Sequence, residues 1–211
     1  MGATKIIFAD NVEKYRKVIL EELLPYGIVS IGEAANGADL LRLLILLKPD
    51  VVLLDLEMPV MDGNEALNEI MIKFPGTKVI IVSMHYEQLL VEDYIFRGAK
   101  GYIPKDEIAG DIGLLARAIK KVKEGEIFVH HLPLEKQEGS IKYSFKQKQI
   151  TPLICQGYTN EQISEELSIG VRGVEKHRSK LYSKVGGKAI DFYRYAFSKG
   201  LHFLGRARRR T

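Results

Sequence analysis

Four side chains of a 211-residue chain, Asp10, Asp55, Ser83 and Lys105, each stand at or just past the end of a short apolar run. Their types suit one reaction. A pair of carboxylates such as Asp10 and Asp55 can hold Mg²⁺ through oxygen, leaving positions for water and a phosphoryl group. The ion would screen an incoming phosphate from Asp55 and so make that carboxylate usable as a nucleophile. Lys105 would offer a point charge to the phosphoryl oxygens, and Ser83 a hydroxyl donor. Each residue alone has a plainer use: Asp10 as a turn former, Ser83 as a strand-end cap, Lys105 as a surface lysine before a helix. The chemistry rests on all four being brought to one place.

The segments that carry these residues alternate two periods along the first part of the chain. "KIIFAD" (5–10), "IVSIGEAA", "DVVLLDL", "KVIIVSM" and "GYIPK" are short apolar runs. "VEKYRKVILEELL" (12–24), "GADLLRLLILL", "GNEALNEIMIKF", "YEQLLVEDYIFRG" and "IAGDIGLLARAIKKVKEG" space apolar residues at three and four, as amphipathic helices do. Five strand–helix pairs imply a parallel sheet covered on both faces, a doubly wound α/β fold. In such sheets ligands sit at the carboxyl ends of the strands, where all four residues fall.

Charge divides the chain. Residues 1–128 carry 15 basic and 20 acidic groups and residues 129–211 carry 16 and 7, for nets of −5 and +9. An acidic front and a basic back imply two tasks, the second with a polyanion. "GRARRR" at 205–210 supplies four of the basic groups, and the back half stays positive without it. No apolar run approaches the roughly 18 residues of a membrane span, "MGATKIIFAD" does not read as a secretion signal, and the single Cys155 suits a reducing cytosol, so a cytoplasmic protein is expected.

"PDVVLLDLEMPVMDG" (49–63) and "GAKGYIPK" (98–105) make residues 5 to about 124 resemble a response-regulator receiver domain. The resemblance implies a flavodoxin-like five-stranded sheet of order 2-1-3-4-5, with Asp55 phosphorylated by a sensor histidine kinase. It also implies that Asp10, Asp55 and the Glu57 backbone carbonyl bind Mg²⁺, that Ser83 and Lys105 contact the phosphoryl group, and that Ser83 and Tyr102 form the switch. Tyr102 has an ordinary alternative, packing on helix four. Glu57 and His85 lie where family side chains tune acyl-phosphate hydrolysis, or are plain surface residues. The family has a second acid after strand one; here "FADNVEKYR" places Asn11 there, spaced from Arg16. An amide ligates without charge, so weaker Mg²⁺ binding is expected.

In the back half, "SFKQKQITPLICQGYTNEQISEELSIGVRGVEKHRSKLYSKVGGKAIDFYRYAFSKGL" (144–201) reads as four helices. Ser144 with Gln147 and Thr159 with Gln162 form capping boxes. A short helix, a turn at Gly170 and a basic helix form a helix-turn-helix, whose recognition helix enters the major groove of double-stranded DNA. The segment is similar to the LuxR-type output domain of NarL/FixJ response regulators. By that resemblance Glu175, Lys176, Ser179 and Lys180 face base edges or backbone, with Arg172 also on the free basic side. His177 and Arg178 support packing and phosphate contact, and "AIDFYRYAF" supplies the dimer surface. Pro152 within the first helix predicts a kink or late start. Gly170 and Gly173 weaken the recognition helix.

The domains expected are a receiver at 1–128, a linker at 129–143, an all-α helix-turn-helix domain at 144–204 and a basic tail at 205–211. The function expected is transcription control: phosphorylation of Asp55 drives homodimerisation and DNA binding, with no enzymatic turnover and no membrane partner. Two alternatives are an interaction module with impaired DNA binding and a regulator made phosphorylation-independent by Asn11. A phosphatase of the haloacid dehalogenase type would need an acid/base Asp where Glu57 stands.

Overall fold

The computed structural model describes residues 2–130 and 141–204. The tail at 205–211 and positions 131–140 of the expected linker lie outside the described residues. By their contacts the residues fall into two units, Met1–Met84 with Tyr94–His131, and His85–Asp93 with Leu132–Thr211.

The first unit is built on a parallel sheet. Its strands are β1 (Thr4–Ala9), β2 (Ile28–Ala34), β3 (Val51–Asp55), β4 (Val79–Ser83), β5 (Gly101–Pro104) and β6 (Phe128–Val129), in the order β2-β1-β3-β4-β5-β6. The expected five-strand order is present, but with a sixth strand: β6 pairs with β5, and the His130 N–H donates to the Tyr102 carbonyl at 3.1 Å. Two residues are too short to leave a period-2 signal, and β6 crosses the receiver boundary expected at 128.

Helices α1 (Glu13–Leu23), α2 (Gly37–Leu46), α3 (Gly63–Lys73), α4 (Gln88–Phe96), α5 (Lys105–Gly110) and α6 (Ile112–Lys123) follow the strands in turn, and of α4 only the residues from Tyr94 onward fall in this unit. Strand residues alternate between faces. Ile6, Phe8, Val51, Leu53, Ile80, Val82 and Ile103 pack with Ile19 and Leu23 of α1 and Leu115, Ala118, Ile119 and Val122 of α6. The single helix expected over 108–125 is two, because Asp111 is extended (φ −152°, ψ 93°) between α5 and α6. An apolar period of three and four does not register one residue leaving helical torsions.

The second unit holds α7 (Phe145–Cys155), α8 (Asn160–Leu167), α9 (Val171–Ser183) and α10 (Ala189–Ser198), closed by a 3-10 turn at Leu201–Phe203. Ile150, Ile154, Ile163, Val174, Leu181, Phe192, Leu201 and Leu204 are fully enclosed apolar residues of these helices and the turn that follows. Both capping boxes are present. The late start expected at Pro152 is not found: α7 begins at Phe145 and runs through the proline, its first turn held by Ser144 and Gln147. Gly186 and Gly187 adopt φ of 127° and 88°, torsions that glycine tolerates, so this pair has a conformational reason. The segment 85–93 belongs here through Glu87, which accepts from the Tyr195 hydroxyl at 2.9 Å, and Glu92, which pairs with Lys148 at 2.5 Å.

Candidate phosphoryl site and recognition helix

Parallel register brings the four residues of the first unit to one edge. Asp55 is the last residue of β3, Ser83 the last of β4 and paired with Pro104, and Lys105 follows β5 directly. Asp10 follows β1, where its backbone N–H donates to Ala34 at 3.0 Å. Its Oδ1 accepts from the Val12 N–H at 2.8 Å, the turn-forming use anticipated for it. Its Oδ2 also meets the Lys105 ammonium at 2.7 Å, and the same ammonium lies 3.0 Å from Asp55 Oδ2. The turn-forming use of Asp10 is realised, and Lys105 is no surface lysine.

All three charged groups are nearly out of water: Asp10 and Asp55 are 0% and 2% exposed. Burial is the largest influence on Asp55 and raises its pKa from 3.8 to about 6, opposed by Lys105 and reinforced by Asp10. For Lys105 burial acts downward, but Asp55 and Asp10 outweigh it and hold the ammonium above its ordinary value. The lysine therefore stays charged, shared by two carboxylates.

The loop after Asp55 is shaped by backbone proximity. A Cβ on Gly63 would lie 1.9 Å from the Asp55 carbonyl oxygen, so no other residue fits without displacing the strand end. Asp62 caps α3 by accepting from the Glu65 N–H at 2.8 Å. Val60 sits at φ 69°, an outlier for a β-branched side chain. The Glu57 N–H donates to the Asp55 carboxylate.

The donor set suits a hard cation. Asp10 and Asp55 bring two carboxylates to this edge, and Mg²⁺ is commonly held by one or two carboxylates with water and phosphate completing the shell. Asn11, which is exposed, adds at most a neutral oxygen. Among the described residues no three His, Cys, Asp or Glu side chains gather as a metal cluster. Ser83 and Tyr102 are buried, and the Tyr102 ring lies 6.1 Å from that of Tyr94 on α4, the packing offered as its ordinary role.

Two features of the first unit escaped sequence reasoning. Arg16, used only as a spacing landmark, donates to the Asp10 carbonyl and pairs with Glu33 at 2.9 Å, fixing the loop after β1. Tyr15 beside it places its ring 5.1 Å from the Lys105 ammonium. An aromatic one residue before that arginine was the available signal.

In the second unit, α9 presents Arg172, Glu175, Lys176, Ser179 and Lys180 to solvent, while Val174 and Leu181 are buried. His177 and Arg178 are half-buried. Arg178 donates to the Tyr158 carbonyl at 2.7 Å, a packing contact between the recognition helix and the loop before α8.

A model of the response regulator receiver domain matches residues 6–117, and one of bacterial regulatory proteins of the luxR family matches residues 143–190. The response regulator protein VraR of Staphylococcus epidermidis is 33% identical over 192 residues, covering 87% of this chain and 90% of that protein. The oxygen regulatory protein NreC of Staphylococcus aureus is 33% identical over 189 residues, covering 81% and 86%. Among solved structures, RcsB dimers bound to DNA superpose with a TM-score of 0.63 at 20% identity, covering 93% of this chain and 99% of that one; the likeness is one of fold.

Proposed function

The chain belongs to the response regulators that join a receiver to a LuxR-type DNA-binding domain, and so is a two-component transcription regulator; from that premise we propose that Asp55 is its phosphoacceptor and α9 its DNA-reading element. The observation that carries the reading is the Lys105 ammonium shared between Asp10 at 2.7 Å and Asp55 at 3.0 Å. A carboxylate Oδ of Asp55 attacks the phosphorus of a kinase phosphohistidine, forming an acyl phosphate as the phosphorus–nitrogen bond breaks. Mg²⁺ held by Asp10, Asp55, the Glu57 carbonyl and, uncharged, Asn11 would screen the approaching charges. Lys105 neutralises the phosphoryl oxygens and Ser83 donates its hydroxyl to them. Tyr102 and Ser83 act as the switch that reports their arrival, a local charge change biasing a two-state element.

On the output side, Arg172, Lys176 and Lys180 supply positive charge to the duplex backbone, Glu175 and Ser179 reach base edges, and His177 and Arg178 support the helix. RcsB is solved as dimers on DNA, which favours a homodimer that reads two half-sites. The receiver is read as 1–128, the linker as 129–143, the output domain as 144–204 and the basic tail as 205–211, in a cytoplasmic protein without turnover of its own.

The test is sedimentation of the full chain with Mg²⁺, with and without beryllofluoride, for wild type and Asp55→Ala, followed by duplex binding. A monomer-to-dimer shift and tighter DNA binding in wild type alone are expected. Identical behaviour of the two proteins would move control away from Asp55.

A further inference from the structure

Lys105 is held by more than carboxylates. Tyr15, on the first turn of α1, lies half-buried with its ring edge-on to Phe8 at a centroid distance of 6.0 Å and an interplanar angle of 67°. The Lys105 ammonium stands 5.1 Å from the centroid of the same ring, within the range of a cation–π contact. The lysine side chain is 11% exposed, so the contact acts where water competes least. Two further cation–ring pairs among the described residues, Arg97 on Tyr94 and Lys120 on Tyr26, do not involve the four site residues.

We propose that Tyr15 is a positioning residue for phosphoryl transfer, its ring face forming a fixed platform that aims the Lys105 ammonium at Asp55. The inference rests on Asp55 being the phosphoacceptor. Packing alone does not require this residue type: Tyr15 is one of the partly buried side chains on the apolar cluster, a place that Leu20 and Ile112 fill with aliphatic groups. What leucine lacks is a negative π face. Asp10 and Asp55 are the carboxylates that pair with the ammonium, and the second of them is the group that is modified. When Asp55 becomes an acyl phosphate its pull on Lys105 changes, whereas the ring, packed on Phe8, does not.

The Tyr15 hydroxyl is buried without a hydrogen-bond partner. Burial first, then the carboxylates of Asp10, Asp55 and Asp106, push this phenol well above its ordinary value, so it stays neutral. The aiming is therefore assigned to the ring, and Tyr15→Phe, which keeps the ring, separates the two parts of the side chain.

The experiment compares full-length wild type, Tyr15→Phe and Tyr15→Leu in two readouts. The first is the NMR signal of the Lys105 ε-methylene, assigned by its absence in Lys105→Arg and recorded without any phosphodonor. A ring-current displacement is expected in wild type and Tyr15→Phe and is expected to vanish in Tyr15→Leu. The second is the rate of Asp55 phosphorylation by acetyl phosphate at saturating Mg²⁺. It is expected to fall about 2- to 30-fold in Tyr15→Leu, to stay near wild type in Tyr15→Phe, and to leave the Mg²⁺ midpoint unmoved, which general loosening of the site would not do. An undisplaced Lys105 signal in wild type, a Tyr15→Leu rate equal to wild type, or a Tyr15→Phe loss as large as that of Tyr15→Leu would overturn the assignment. Wild type that takes no phosphoryl group would instead overturn the reading of Asp55, and the NMR comparison would then decide separately whether the platform exists.

Discussion

Asp55 must be ionised to act as a nucleophile, yet burial favours its neutral form. With a pKa of about 6 in the fold against 3.8 for the free group, the folded state binds this proton more tightly than the unfolded chain. The stability it contributes is present below the free-group value and is lost as pH rises through about 6. Phosphorylation runs the opposite way, since it needs the carboxylate. At limiting Mg²⁺, acetyl phosphate labelling should climb through a midpoint near 6, and saturating Mg²⁺ should move that midpoint down. A flat profile across this window would contradict the burial argument. The same site defines the effect of Asn11→Asp. A third anion should lower the Mg²⁺ half-saturation concentration by on the order of tenfold, measured by titrating the labelling rate; an unchanged midpoint would show that the amide costs the site nothing.

At the level of elements, the recognition helix begins without the capping box that starts α7 and α8. Gly170 occupies its N-cap without a side-chain acceptor, and Gly173 stands in its first turn. A Cβ at either position would meet open space. Gly173→Ala should therefore stabilise α9 by about 1 kcal/mol, and raise the melting temperature of the output transition by about 4 to 8 °C. Gly170→Ser should add a few tenths of a kcal/mol. An unmoved calorimetric transition would mean that α9 is held by packing and not by its own propensity. The elements also show the reach of sequence periodicity. Its five strands and both capping boxes are found, because side-chain alternation and S/T-x-x-Q spacing are local. β6 and the break at Asp111 were not legible: one is created by pairing with β5, the other by a single residue's torsions.

For the whole molecule, charge is the property that spans the domains. Nets of −5 over 1–128 and +9 over 129–211 put the cationic surface on the segment that carries α9. Binding to duplex DNA should weaken steeply with salt, log affinity falling by about 0.9 per neutralised phosphate for each log unit of salt. Lys176→Ala should lower affinity for all sequences alike and reduce that slope by about 1. Fluorescence anisotropy with a labelled duplex measures both, and a slope unchanged by the substitution would remove Lys176 from the phosphate contacts.

The sequence by itself determined the parallel sheet, the helix-turn-helix and the residue types at the strand ends, because these follow from apolar period, capping spacing and charge, all set by neighbours in the chain. It also carried Asp10, Asp55, Ser83 and Lys105 as candidates through their shared position after strands. Only the tertiary structure decided that one ammonium is divided between two buried carboxylates, that Gly63 is required by the Asp55 carbonyl, and that the Tyr15 ring flanks Lys105. It also decided that Glu87, in a segment read as part of the receiver, is buried against Tyr195. Each of these depends on distances between residues far apart in the chain, which are fixed when strands take their register and leave no trace in local pattern.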